Sequence, residues 1–253
     1  MHYKDRIPEE LFEKDGHFLG RPADYGDRIV SRRIALVEDI DGFTGPQYDL
    51  LDIGCGNGAS LFLLASKMQS CTGIEISDAY RNDFTAYAST HGISNCSYVV
   101  SNIEKEAPLR QYDRIISFEV IEHLKEEDSL RYYYNALKSG GLMAISVPNK
   151  WWIFETHGAR LPLLPWNRVP FFSWLPRCIH DRFSNARIYT KQRICRLLEK
   201  HGFRILDVKY IMAPMDVLPE GKLKHWIIRH FFNKHNTCIP CKATSIFVVA
   251  KKK

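Results

Sequence analysis

No stretch of the 253-residue chain approaches the roughly 18 consecutive apolar residues of a membrane-spanning helix. Its polar start, MHYKDRIPEELFEKDG, lacks the apolar core of a secretory leader, so the sequence predicts a soluble, cytoplasmic protein. No repeat or low-complexity tract appears, which excludes solenoids and arrays. Seven scattered cysteines, an odd number in a chain this long, exclude a disulfide framework. Cys238-Ile-Pro-Cys241 and His235 offer only three close ligands, whereas a closed zinc site needs four; the segment reads as a loop with free thiols. Acid is scarce in one half only. Residues 1–149 hold 15 Lys/Arg and 23 Asp/Glu, and residues 150–253 hold 20 and 6. A half this basic suits an anionic partner such as membrane headgroups, a phosphorylated glycolipid or RNA, or simply a solvated face.

What is present is organised around Leu50-Leu51-Asp52-Ile53-Gly54-Cys55-Gly56-Asn57-Gly58. An apolar run, an acid and alternating glycines predict a buried strand, a tight turn and a helix N-terminus from Ala59. Gly54-x-Gly56-x-x-Ala59, with Glu75 further on, satisfies the form of a dinucleotide fingerprint. Asp52 argues against that ligand, because a carboxylate before the turn would repel a pyrophosphate. It suits a ligand with an ammonium group instead. Here the sequence resembles the class I S-adenosylmethionine (SAM)-dependent methyltransferases, whose first motif has the form D-x-G-x-G-x-G.

The later motifs follow in order. Cys71–Ile76 reads as a second strand, and the resemblance makes Glu75 the acid that accepts the ribose hydroxyls, with Ile76 against the adenine. A helix from Ser77 to Thr90 and a strand at 96–100 lead to Ser101-Asn102-Ile103-Glu104. By the same resemblance Asn102 takes the adenine amine through its side-chain oxygen, where the family usually has Asp, and Ile103 packs the ring. A strand at 113–119 enters Glu119-Val-Ile-Glu122-His123. This E-x-x-E-H signature resembles a branch that includes ubiquinone-pathway O-methyltransferases, small-RNA 2′-O-methyltransferases and glycan or lipid-linked enzymes. Glu119, Glu122 and His123 within one turn are candidate ligands for Mg2+ or another divalent ion, with His157 or His180 as a fourth. Metal-free proton transfer by His123 with Glu122, and a purely structural role, fit the same spacing. A helix over 126–138 closed by Gly140-Gly141 and a strand over 142–147 complete a β-α-β series that calls for a doubly wound α/β sheet of seven mostly parallel strands. Its motifs converge on one edge. A helix over 25–40 would lid the cofactor, with Tyr25 and Arg32 reaching the SAM carboxylate.

Between 150 and 188, four prolines and four of the five tryptophans exclude a long regular helix. Aromatic groups interleaved with Arg160, Arg168, Arg177, Arg182 and Arg187 read as a cap insertion, facing substrate or membrane, within a single methyltransferase domain spanning 1–253. A helix from Ile188 to His201, a strand at 204–213, a basic amphipathic helix at 222–234 and a last strand at 244–251 follow. The helix at 222–234 either packs on the body or lies on a membrane. The expectation is SAM-dependent methyl transfer, to oxygen of a lipid-linked, glycolipid or small phenolic acceptor. Cofactor contacts are expected from Asp52, Gly54, Gly56, Gly58, Glu75, Ile76, Asn102, Ile103 and Glu119. The rivals are a metal-dependent RNA ribose 2′-O-methyltransferase and a SAM-binding interaction protein without catalysis.

Overall fold

The computed structural model describes residues 13–14, 17–18, 24–155, 170–184 and 186–253. Seven principal strands form the sheet: β1 (Gly45–Ile53), β2 (Met68–Glu75), β3 (Cys96–Val100), β4 (Tyr112–Phe118), β5 (Leu137–Pro148), β6 (Phe203–Met212) and β7 (Ala243–Lys252). They lie in the order β3-β2-β1-β4-β5-β7-β6, and a two-residue strand, Asn236–Thr237, pairs antiparallel to the outer side of β6. Strands β1 to β5 are mutually parallel and β7 runs antiparallel to both its neighbours. The doubly wound sheet read from the sequence is therefore present, with one short edge strand more than expected.

Alternation along the strands divides the core into two layers. Leu50, Ile116, Ala144, Phe247 and Val249 face one layer, and their neighbours Leu51, Ile115, Ile145, Ile246 and Val248 face the other. Helices α1 (Arg28–Glu38), α2 (Ala59–Ala65) and α3 (Arg81–Thr90) cover the first face. Helices α4 (Leu130–Ala136) and α6 (Lys191–Lys200) cover the second. Because both faces are buried, the central strands read as continuous apolar runs. The connection leaving β1 leads to β2 on one side, while β4 pairs on its other side, so a crevice opens past the C-terminal ends of β1 and β4.

Two boundaries differ from expectation. Helix α4 is confined to Leu130–Ala136, preceded by a 3-10 turn at Glu127–Ser129, and β5 begins at Leu137. Gly140-Gly141 thus lies inside β5 and does not close the helix. The β4–β5 register jumps from Tyr112–Leu137 to Arg114–Leu142, and the excess residues bulge where Gly140 takes φ +74°. Helix α2 stops at Ala65, because Met68 already belongs to β2.

In the insertion, Phe154 bridges Pro170, a 3-10 turn spans Phe172–Trp174 and helix α5 spans Arg177–Phe183. His157, Arg160, Trp166 and Arg168 lie outside the described residues. Helix α7 (Lys222–Phe231) is three residues shorter than expected. No helix among the described residues is long and apolar enough to cross a membrane.

Candidate active site

The turn after β1 is held by β2. Gly54 and Cys55 both donate backbone N–H groups to the Ile74 carbonyl, at 2.8 and 3.1 Å. Gly54, Gly56 and Gly58 have φ of +76°, +52° and +86°, the left-handed region that side-chain-bearing residues avoid. Space is equally restrictive, since a Cβ on Gly54 would stand 2.3 Å from Val120 Cγ2 and one on Gly58 would meet Phe84 and Phe62 within 2.8 Å. Glu75, at the end of β2, accepts the Gly56 N–H on Oε2 (2.9 Å) and the Ile76 N–H on Oε1 (2.8 Å). A carboxylate has lone pairs left after two such bonds, so it can still receive hydroxyl donors.

Asp52 sits behind this turn and is almost wholly buried. Desolvation, followed by the nearby charge of Glu75, raises its pKa to about 8, against a partial offset from Arg33. Burial therefore favours the protonated form of Asp52, and a cation brought near it favours release of that proton.

The loop after β4 gathers a second set of acids. Glu119 has φ +59°, unusual for a residue with a side chain, and its N–H donates to the Ser146 carbonyl at 3.0 Å. Its Oε1 accepts the Ser146 hydroxyl (2.7 Å) and pairs with the Arg33 guanidinium (3.1 Å), which also lies 5.5 Å from the centre of the Phe118 ring. Glu122 is buried. Burial first, then the charge of Glu119 and a hydrogen bond with it, drive the Glu122 carboxyl well above the ordinary range. Burial and the neighbouring Glu119 thus favour the protonated form of Glu122. His123 ends the 3-10 turn Ile121–His123 at the crevice, with its backbone N–H on the Val120 carbonyl (2.9 Å).

This arrangement does not fit the divalent ion expected from Glu119, Glu122 and His123. Among the described residues no three His, Cys, Asp or Glu side chains gather as ion ligands. Glu119 is engaged by Arg33 and Ser146, and burial disfavours the charged Glu122 carboxylate that an ion would need. His180 is also elsewhere: it is buried in α5 with Nε2 2.8 Å from Glu155 and Nδ1 3.3 Å from Asp181.

The loop after β3 places Asn102. It is buried, and its Oδ1 accepts the Glu104 N–H at 3.0 Å. Its Nδ2 meets no acceptor among the described residues. The oxygen keeps a second lone pair, so the side chain can present both an acceptor and a donor to a ligand. Ile76 and Ile103 flank it, each half-buried. Glu104 reaches across to the next loop, where Oε1 accepts the Lys125 N–H (2.7 Å) and the Ser129 hydroxyl (3.1 Å).

Three side chains shape the rim. The Tyr25 hydroxyl, expected at the SAM carboxylate, donates to the Asn57 carbonyl (2.8 Å), and its ring stacks on Tyr87 beside the glycine turn. Arg32, expected to reach the SAM carboxylate, instead donates to the carbonyls of Met212 (2.6 Å) and Phe232, and burial lowers its pKa to about 10. The residue facing the crevice is Arg33, whose buried Nε–H meets no acceptor among the described residues. Adjacent helical positions point about 100° apart, and the sequence carries no signal for that phase at an Arg-Arg pair. Arg187, read as an interface cation, clamps the acidic loop: its guanidinium donates to the carbonyls of Ile121 (3.2 Å), Lys125 (3.2 Å) and Leu124, and its backbone N–H to that of Glu122 (3.2 Å).

Comparison with known proteins places this geometry in context. A family model described as a methyltransferase domain matches residues 9–208. The ubiquinone biosynthesis O-methyltransferase of Rickettsia canadensis (strain McKiel) is 29% identical over 221 residues, covering 83% of this chain and 88% of that protein. Aklanonic acid methyltransferase DauC of Streptomyces sp. (strain C5) is 30% identical over 183 residues, covering 66% and 79%. Among solved structures, an S-adenosylmethionine-dependent methyltransferase from Mesorhizobium loti superposes with a TM-score of 0.61 at 14% identity, covering 90% of this chain and all of that one. The [4+2]-cyclase SpnF superposes at 0.59 with 18% identity, covering 87% and 80%. These structural likenesses speak to the fold alone, and a cyclase among them illustrates why.

Proposed function

As a member of the methyltransferase-domain family the chain is a SAM-dependent enzyme, and we propose that it transfers the methyl group to a hydroxyl oxygen of a lipid-linked, glycolipid or small phenolic acceptor. The observation that carries this reading is the pairing of Arg33 with Glu119 across the crevice from the Glu75 turn. A guanidinium beside a carboxylate matches the two charges of an amino-acid group, and a carboxylate braced by backbone N–H groups matches a ribose diol. SAM supplies an electrophilic methyl on a cationic sulfonium. The chain's own work is then to hold both partners in line and to remove a proton. As the acceptor oxygen bonds to the methyl carbon, the carbon–sulfur pair stays on sulfur and the hydroxyl proton passes to His123. Glu122, buried beside Glu119, supports the loop through its hydrogen bond with that residue.

The O-methyltransferase relatives support oxygen as the acceptor atom. The ribose-methylating alternative leaned on an ion held by Glu119, Glu122 and His123, and those residues do not gather for one. An apolar acceptor would be met at a membrane, so the reading includes peripheral association of a cytoplasmic protein with anionic lipid. The test is transfer of a labelled SAM methyl into a host-cell extract, fractionated into lipid, RNA, protein and small molecules. Label in the lipid or small-molecule fraction that is lost in His123→Ala supports the proposal. Label confined to RNA or protein, or a His123→Ala variant as active as wild type, overturns it.

A further inference from the structure

Helix α7 is built the wrong way round for a helix that serves only its own core. Ile228 alone in it is buried, packing with Trp152, Ala213 and Met215, while Ile227 and the following Phe232 pack in part. Its largest apolar side chains face outward instead: Leu223 is 70% exposed, Trp226 51% and Phe231 48%. Leu223 and Trp226 are three apart and lie on one stripe with His230, whose ring stands 4.9 Å from that of Trp226. Trp226 also meets Phe231 at 5.6 Å, so the exposed rings form one contiguous group. Leaving such groups in water forgoes burial on the order of 25 cal/mol per Å². A surface that keeps them exposed side by side marks a place where something else covers them.

Charge identifies what covers them. From Gly221 to the last residue the chain has eight Lys/Arg and no Asp or Glu. Lys222, Arg229 and Lys234 are exposed beside the stripe, and Lys242 Nζ lies within 5.7 Å of the ring centres of both Phe231 and Phe232. A second copy of the chain docking through this face would bring like charges together. A nucleic acid would meet the cations but offer no apolar medium to Leu223. A surface that is both anionic and apolar beneath satisfies the whole set. At ten residues the helix is about 15 Å long, too short to cross a bilayer and suited to lying in its plane.

We propose that α7 is a docking helix that seats the protein on an anionic lipid surface through Leu223, Trp226 and Phe231, with Lys222, Arg229, Lys234 and Lys242 on the headgroups. The inference names the contact for the membrane half of the reading above and is independent of the methyl-transfer half. The insertion adds to the same side. Trp152 shares the packing of Ile228, and near it Trp151, Phe171 and Trp174 are exposed. Phe171 donates its N–H to the Ile153 carbonyl, which ties the two segments together.

The experiment is sedimentation of the full chain with vesicles of phosphatidylcholine alone and of phosphatidylcholine with phosphatidylglycerol, with SAM binding measured in parallel. Wild type should pellet with the anionic vesicles and remain in solution with the neutral ones. Leu223→Ser/Trp226→Ser should lower the bound fraction by about tenfold or more, and Lys222→Glu/Arg229→Glu should do so with raised sensitivity to salt. SAM affinity and melting temperature should be unchanged in both, because the substituted side chains are exposed. Wild type that stays in solution with anionic vesicles, or a serine variant that pellets as well as wild type, overturns the proposal. A wild-type dimer that the serine variant converts to monomer, without vesicle binding, also overturns it and gives the face to a second copy.

Discussion

After β2 the carboxylate of Glu75 takes two backbone N–H groups, whereas after β4 the carboxyls of Glu119 and Glu122 take a guanidinium, a serine hydroxyl and each other. Backbone donors are fixed by the turn, so the first acid is oriented by chain geometry alone. The second pair depends on Arg33 arriving from α1 and on Arg187 holding the loop's carbonyls. One side of the crevice is thus determined by local sequence, and the other by contacts between residues as far apart as 33 and 187. The first should fail abruptly when a single residue changes, and the second by degrees.

The largest expected effect tests the rigid side. Glu75→Ala removes the acceptor of the Gly56 and Ile76 N–H groups and, in the proposed site, of two ribose hydroxyls, so SAM affinity measured by calorimetry should fall by roughly a hundredfold or more. An unchanged affinity would remove Glu75 from the cofactor site. Arg33→Met tests the assembled side. It leaves Glu119 without its cation and should weaken SAM binding by roughly ten- to a hundredfold, with little change for adenosine, which lacks the amino-acid end. Equal losses for both ligands would show that Arg33 merely supports the fold.

A third expectation concerns pH. Asp52 has a folded pKa of about 8 against an ordinary 3.8. A raised value means the folded chain binds this proton more tightly. The resulting stability is complete below about pH 4 and is lost as pH rises through about 8. The melting temperature of wild type should decline across that window, and Asp52→Asn should flatten the decline. Equal slopes would mean that the side chain is not the buried acid described. The smallest effect belongs to Arg187→Met, which should lower kcat by about tenfold through a looser His123 loop. SAM affinity should hold, and Arg187→Lys should recover only part of the loss, because the single lysine nitrogen cannot span carbonyls that the planar guanidinium reaches from two nitrogens. A loss in SAM affinity equal to that in kcat would show a general defect instead.

The sheet was legible because its central strands carry apolar runs, as residues 142–145 and 246–250 illustrate. The glycine turn was legible because a backbone with three positive φ angles leaves little choice of residue. Arg33 was missed for Arg32, since helix phase is decided by what α1 packs against. The raised pKa of Glu122 depends on burial that no local pattern encodes. Gly140-Gly141 likewise looks like a helix stop but serves a strand bulge. The loop bond from the Glu104 N–H to Asn102 Oδ1 is equally invisible in the sequence, because it depends on how the turn folds back.

Arg32 has a consequence that reaches beyond the rim of the crevice. It fastens α1 to the carbonyl of Phe232, the residue just after α7, while the next side chain along α1 meets Glu119. The end of the outward-facing helix and the acid of the crevice are therefore bolted to adjoining links of one rod, as a door handle and its latch share a spindle.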